Sequence, residues 1–541
     1  MGNSFIQPIM CKSAVLVLML CLVCADVFPQ APSGEFRYTV SPPYRVVDAE
    51  SKYYFYQDDQ IMMVKIRGRR ITIQKFSARS MKFLKIKVHE DMPKGYVLES
   101  LRKVGDHYYL FYSLWDRANE MEQLFHREID FDAGSFRGAG KRLIKIKGKL
   151  SGFFSGGMWS MGVTDKFSFN VSFDETRLLI QYRRKPLIRD DSKNYDVIGF
   201  NVFDPDLEEL WSEEVKMPYT EAQMNNLDYS VDAEGNAYIL ASVFNGTSRT
   251  TSHIELLRIE HGTGDIEATE IKVGTMFIKN IWLYEGPLDY MVCAGFYSKI
   301  RSSNNADGIF LSKVGKDGEV YDVAKYEIPL SVLKQYTSAR TQRKTSKKDK
   351  RNKAEFDELE LRNLIIGDDG SIVMVGEQYY VLTHTTYSSD GKSRTYYTYH
   401  YNDMLITKID PDGELAWMKK LPKRQTGRKG RGGMGYKYLY DEKSDSHYLL
   451  FLDNFKNMEL ALDKVPANHA DGAGGFLTAY KINGEDGAVT KASIFNVKDV
   501  NGTAVYQFQT GRIFSTEPGQ IMVEVYKKKK EDVMIKIVVS E

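Results

Sequence analysis

The residues with the most chemical content in this chain are cations and tyrosines gathered in a few segments. Residues 340–353 (RTQRKTSKKDKRNK) hold eight Lys and Arg against one Asp, among them Lys347, Lys348 and Arg351. Residues 419–437 add Lys423, Arg424, Arg428, Lys429 and Arg431, and shorter basic runs occupy 183–189 and 527–530. Residues 379–401 contain seven tyrosines, including Tyr387, Tyr396, Tyr397 and Tyr399, together with His384 and His400. Clustered cations attract anions over long range, and tyrosines offer flat amphipathic contact area. Taken alone, a basic run is ordinarily a solvated stretch, so a binding site needs these segments brought to one place. On that condition the expected binding residues are Lys347, Lys348, Arg351, Tyr387, Tyr396, Tyr397, Tyr399, Lys423, Arg424, Arg428, Lys429 and Arg431. The ligands that such a surface suits are an anionic glycan, an anionic envelope component or a protein partner.

Catalytic and metal signals are weak. The segment 430–435 (GRGGMG) matches GxGxxG, but a dinucleotide site needs a strand before it and a helix after it. A basic loop precedes this one and a strand pattern (YKYLY, 436–440) follows. The nine histidines are scattered, with no HExxH or CxxC spacing, so no zinc site is expected. The stretch 410–414 (DPDGE) lacks the third acid and the distal Glu of a calcium loop, and GxSxG is absent. No cofactor, metal or catalytic residue is therefore assigned. Charge nearly cancels, with 74 Lys+Arg against 72 Asp+Glu, which excludes a globally basic nucleic-acid binder. The alternative activity is a hydrolase or lyase acting on a glycan or peptide, with a site assembled from distant segments at an axial funnel.

The elements that would position these residues are strands. From residue 35 onward, period-two alternation dominates, as in 236–244 (NAYILASVF) and 371–376 (SIVMVG), and marks an all-β chain. Two hairpin types alternate. One places an Asp-rich turn before an apolar strand, at 173–175, 231–235, 367–370 and 440–443. The other carries Asp or Gly between two strands, at 129–132, 202–206, 258–262, 313–318, 408–413 and 481–487, with a weaker copy at 65–69. Gly and Asp suit tight turns because they accept positive φ. Each pair of turns defines a four-stranded unit, A to D. The C-terminus supplies three strands (512–515, 521–526, 533–539), and 36–40 is a spare strand that completes them. Such repeats predict a β-propeller of four-stranded blades, eight or seven in number, closed by the N-terminal strand. Two β-sandwiches are the rival architecture. In a propeller the short Asp/Gly turns leave from one face, and the basic and tyrosine-rich B–C and D–A segments leave from the other.

The stretches 375–380 (VGEQYY) and 402–413 (NDMLITKIDPDG), with Trp417 and 420–425 (KLPKRQ), resemble a family of uncharacterised secreted bacterial propeller-like proteins. The resemblance covers about one blade and implies a propeller and export, with no chemistry to carry over. Export is also expected from 14–25 (AVLVLMLCLVCA), a 12-residue apolar run after Lys12. Its length fits a signal h-region and falls short of a membrane span. The expected division is a signal peptide over 1–25, a linker over 26–34 and one propeller domain over 35–541, with no transmembrane segment in the mature chain. Only Cys293 remains after cleavage, so no internal disulfide forms. The expected location is periplasmic or extracellular.

Overall fold

A computed structural model describes residues 34–155, 162–186, 188, 190–244, 252–300, 305–337, 339–349, 355–387, 393–428, 433–462, 464–472, 474–500, 502–527 and 529–539. The predicted signal peptide and nearly all of the predicted linker lie outside these residues. The chain is all-β with a propeller arrangement. Its strands follow the alternation, and its turns fall where Asp and Gly predict them. In the turn at 367–371, the Gly370 amide donates to the Gly367 carbonyl at 2.9 Å, with φ +84° at Gly370. The turn at 410–414 repeats this geometry, with Gly413 at φ +82° donating to Asp410. A side chain at either position would be strained there.

Among the described residues, six separate sheets form blades: 51–89, 97–147, 167–220, 224–271, 277–327 and 359–427. We number them 1 to 6. This corrects the expected count of eight or seven. Blades 1, 3, 4 and 5 have four strands, blade 2 has five and blade 6 has six. The fifth strand of blade 2 arises because Ser135–Phe136 and Lys141–Lys147 both pair with Met121–Asp130. Blade 6 is enlarged by Gln425–Gly427 and by His469–Ala470. Apart from a two-stranded sheet of Phe153–Ser155 and Gly162–Thr164, the remaining strands merge into one eleven-stranded sheet. They do so because Asp499–Val500 and Thr503–Gln507 continue the pairing from Val489–Asn496 across to Gln520–Lys527. Those linking strands are what the repeat pattern did not show.

Apolar cores lie between successive sheets. Blades 1 and 2 share Val64, Ile73, Leu110 and Tyr108, and blades 5 and 6 share Val292, Leu311, Leu361 and Met374. The two ends of the chain then meet. Phe36–Val40 pairs antiparallel with Glu531–Val539. On the other side of that sheet, Ile61, Met63 and Phe76 of blade 1 pack on Phe514, Met522 and Met534.

An ionic cluster is buried at this seam. The Lys65 ammonium of blade 1 donates to Glu524, and both side chains are fully buried. Glu524 also accepts from Lys52 at 2.8 Å, Tyr54 at 2.9 Å and Tyr44 at 3.0 Å. Burial alone would raise the Glu524 carboxyl, but Lys65 and Lys52 outweigh it and hold the group well below the usual carboxylate range. Asp532 lies 3.6 Å from Lys65, and burial with the Glu524 charge pushes its carboxyl up to about 6.

Removing one partner of a buried ion pair typically costs about 3–5 kcal/mol, because the other charge is stranded. Lys65→Met is expected to fall near 3 kcal/mol, since Lys52 still faces Glu524. Pairing it with Glu524→Gln should recover most of the loss. Urea unfolding of the two variants checks this; a single-variant loss under about 1 kcal/mol would remove the cluster from the account of closure.

Candidate functional site

The segment rich in tyrosine, expected as a loop, is a β-ribbon. The strands Ile372–Tyr387 and Ser393–Ile409 run far past their blade, with Val373 opposite Lys408 inside the sheet and Tyr387 opposite Ser393 at the far end. The register shifts at Glu377/Tyr379, where the ribbon leaves the blade. Alternation along a strand sends successive side chains to opposite faces, so the tyrosines do not converge on one surface. Tyr380, His384, Tyr396, Thr398 and His400 share one face. By register, Tyr379, Tyr397, Tyr399 and Tyr401 belong to the other.

The first face is a stacked ladder. The His400 ring lies on Tyr380 with centroids 4.6 Å apart and 8° between planes. Nε2 of His400 and Nε2 of His384 both hydrogen-bond Thr398 Oγ1, at 3.2 and 2.8 Å. His384 stacks on Tyr396 at 4.8 Å and 14°. The Arg428 guanidinium stands 5.3 Å from the Tyr396 ring centre. It arrives there because Gln425–Gly427 pairs with the ribbon at Tyr399–Tyr401. Burial, with help from His384 and Arg424, lowers the His400 pKa. On the second face Tyr379 and Tyr401 pack at 4.9 Å, Tyr397 is half exposed at 51% and Tyr399 is partly buried.

The predicted cations divide in two. Lys423 is a correction: it is buried, 1% exposed, and cannot greet a ligand. Its ammonium bonds Glu377 at 2.6 Å, the Tyr401 carbonyl at 3.0 Å and Gln425 Oε1 at 3.2 Å. Arg362 lies 3.3 Å from the other oxygen of Glu377. Burial lowers the Lys423 pKa and Glu377 opposes the shift. This ion pair roots the ribbon in the blade. Arg424 and Arg428, its neighbours in the same basic stretch, are exposed.

Residues 339–349 (ARTQRKTSKKD) form a helix, Ala339–Asp349, rather than a loop. The segment lacks Gly and Pro, and Arg, Lys and Gln are good helix formers. Lys347 and Lys348 are exposed in its last turn, where the helix dipole favours cations. Among the described residues, Arg343, Lys344, Lys347, Lys348, Arg424 and Arg428 have no acidic partner. Arg351, Lys429 and Arg431 lie outside the described residues. Strand direction places the ribbon tip, the helix connection (328–358) and the 422–435 connection at the same end of blade 6. A bond from Lys420 Nζ, in the strand Leu415–Leu421, to the Gln335 carbonyl, 3.1 Å, ties the helix connection to blade 6.

Sequence reasoning missed a second cluster. Arg183 at the end of Leu178–Arg183 donates to both Asp196 and Glu221, two carboxyls only 7% and 8% exposed. Burial, with the adjoining Glu221 carboxyl, pushes Asp196 up to about 6. Burial also raises Glu221, but hydrogen bonds from Asp196, Asn194 and Arg183 outweigh it and lower that group. Arg183 also lines a cavity of about 170 Å³ with Lys166, Gln181 and Tyr229, which neither carboxyl lines. The signal available in sequence was the basic run at 183–189; of the acids, Asp196 lies on Tyr195–Phe203 and Glu221 in the turn just after Glu209–Thr220. No group of three or more potential metal ligands is found among the described residues.

No family model and no curated protein matches this chain. By structure it is similar to the polysaccharide lyase Uly1, at 8% identity over 90% of this chain and 89% of the lyase, with a TM-score of 0.37. It is similar to a prolyl endopeptidase at 11% identity and a TM-score of 0.38, over 91% of this chain but only 55% of the endopeptidase. The WD40 domain of SCAP from fission yeast is matched at 7% identity over 93% and 95% of the two chains, with a TM-score of 0.36. None of these likenesses bears on what this chain binds or does.

Two outcomes are expected from these contacts. Lys423→Ala should destabilise by about 3 kcal/mol, because it strands a buried Glu377, whereas Arg424→Ser should stay within about 0.5 kcal/mol; unfolding midpoints that rank the two the other way refute the division. The second concerns Asp196, whose pKa is higher folded than unfolded (about 3.9). Its proton therefore favours the fold below that unfolded value, and the contribution is lost as pH rises through about 6. Asp196→Asn stays neutral, so its stability relative to the parent should improve between pH 5 and pH 8. A difference independent of pH would contradict the assignment.

Proposed function

We propose that this protein is an exported, non-catalytic propeller that binds an anionic glycan through the ribbon end of blade 6. The observation that carries this reading is the ladder Tyr380–His400–Thr398–His384–Tyr396, capped by the Arg428 guanidinium. Flat rings suit the apolar faces of sugars. Arg424, Arg428, Lys347 and Lys348, which lack acidic partners among the described residues, suit carboxylate or sulfate groups. The cations draw the polymer from about a Debye length away, roughly 10 Å at 0.1 M salt, and the rings then hold it. Tyr396 acts on the ladder face, while Tyr397 and Tyr399 offer a second contact on the back of the ribbon. A stacked, partly exposed imidazole–phenol row with cations at its end favours a glycan over the other ligands that a basic surface could take. Export supplies the setting in which such polymers occur.

The test is retention on an immobilised acidic polysaccharide under a salt gradient. Replacing Arg424, Arg428, Lys347 and Lys348 by Ser should weaken retention about tenfold, at a few tenths to 1 kcal/mol for each exposed cation. Tyr396→Ala should weaken it too, while leaving the salt dependence of elution unchanged. Retention of both variants equal to that of the parent protein would end the proposal.

A further inference from the structure

A second cavity lies at the opposite end of the strands, inside the eleven-stranded sheet. It measures about 220 Å³ and opens beside two A–B turns, 442–445 and 516–519. Its walls are apolar: Phe36, Leu450, Ile521, Ile537 and Val539 line it. A cavity of roughly 150 Å³ already admits a guest the size of benzene. Two of the lining residues, Asp441 and Tyr448, carry a buried polar atom without a hydrogen-bond partner. Asp441 is 6% exposed, and its Oδ2 accepts from Ser444 at 2.6 Å, but its Oδ1 has no hydrogen-bond partner. Gly519, also in the lining, lies beside that oxygen: a Cβ there would make an ordinary 3.5 Å contact with Asp441 Oδ1, at a φ of +68° that side chains rarely adopt.

The rim reinforces the floor. Glu442 and Glu517 line the cavity and are exposed, and Tyr440 adds a ring that is 44% exposed. No Lys, Arg or His lines the cavity among the described residues. Lys481 sits 6.0 Å from the Tyr448 ring and is paired with Glu35 at 3.3 Å, and Lys443, next to Glu442 in the rim turn, is exposed. An anionic ligand would meet three carboxylates and no lining cation. A neutral apolar ligand would leave Asp441 Oδ1 buried without a partner, which costs free energy. A protonated amine satisfies both conditions, because its ammonium donates to Asp441 while its carbon body fills the apolar walls.

We infer that this cavity is a binding site for a small protonated amine with an apolar body, its ammonium on Asp441 Oδ1. The site stands apart from the glycan-binding reading, shares no residue with it, and survives or fails independently.

The experiment uses the whole chain and three probes of like shape: phenethylamine, 2-phenylethanol and 3-phenylpropanoate, each titrated by calorimetry at pH 7. The amine should bind at least tenfold tighter than the alcohol, and the carboxylate should not bind. Asp441→Asn should abolish the advantage of the amine while leaving the alcohol unchanged. A short blocked peptide with one lysine tells the sources of the ammonium apart: stronger binding of the peptide assigns the site to a partner's lysine, stronger binding of phenethylamine to a free amine. Equal affinity for the three probes, or no binding of the amine by the parent protein, overturns the inference. The comparison of probes on the parent protein decides the matter even where the Asn variant fails to fold.

Discussion

The arrangement depends on joining its two ends. A chain of sheets laid side by side leaves one open edge at its start and another at its finish, and open edges invite pairing with other chains. Here the first described strand, Phe36–Val40, is added to the last, Glu531–Val539. Beside it, apolar contacts and the buried Lys65–Glu524 pair connect blade 1 to the final sheet. A pair of this kind contributes little net stability, because desolvation offsets attraction. Its effect is on register. A slip of one residue in Gln520–Lys527 would turn Glu524 to the opposite face, leaving Lys65 with a buried charge and only Asp532 near it.

Closure is also what gives the connections their meaning. Once the sheets are fixed, every B–C and D–A segment leaves from one end, however far apart in sequence. Blade 6 exploits this by growing. Its two central strands have 16 and 17 residues, where those of blade 5 have nine and eight. A two-stranded ribbon is marginal by itself in water. This one is held at its root by Glu377 with Lys423 and Arg362, and along one edge by Gln425–Gly427. The charge at 423 thus builds the platform on which the charge at 428 is displayed.

Much of the architecture was legible because turns obey local rules. The glycines at 370 and 413 and the aspartates beside them mark the hairpins wherever the strands go. Counting sheets was not legible, since the strands 499–500 and 503–507 that fuse the final sheet are short and carry no repeat signature. The site was legible in composition but not in arrangement. A basic run gives the same reading whether a lysine is solvated or buried, and only the distant Glu377 separates Lys423 from Arg424. The division of tyrosines over two faces followed from period two alone, and was hidden by taking 379–401 as a loop. The pairing of Asp196 with Glu221 joins the start of one strand to the end of the next, beyond any local pattern.

The same turn rules shape the electrostatics. Tight A–B and C–D turns recruit Asp for its hydrogen bonds to nearby backbone amides, as at Asp174, Asp317 and Asp369, and Asp232 does so in the turn before Ala237–Phe244. These turns place aspartates at the end where connections are short. The long connections at the other end have no such demand, and there this chain places the helix Ala339–Asp349 and the exposed Arg424 and Arg428. With 74 basic and 72 acidic residues the total nearly vanishes, so what an approaching ion senses is the separation rather than the sum. Under the proposed function, the exposed cations at that end would draw an anionic polymer before any contact forms. At the other end Asp441, Glu442 and Glu517 line the apolar cavity. What differs between the two ends is thus set by which connections of a four-stranded meander are short.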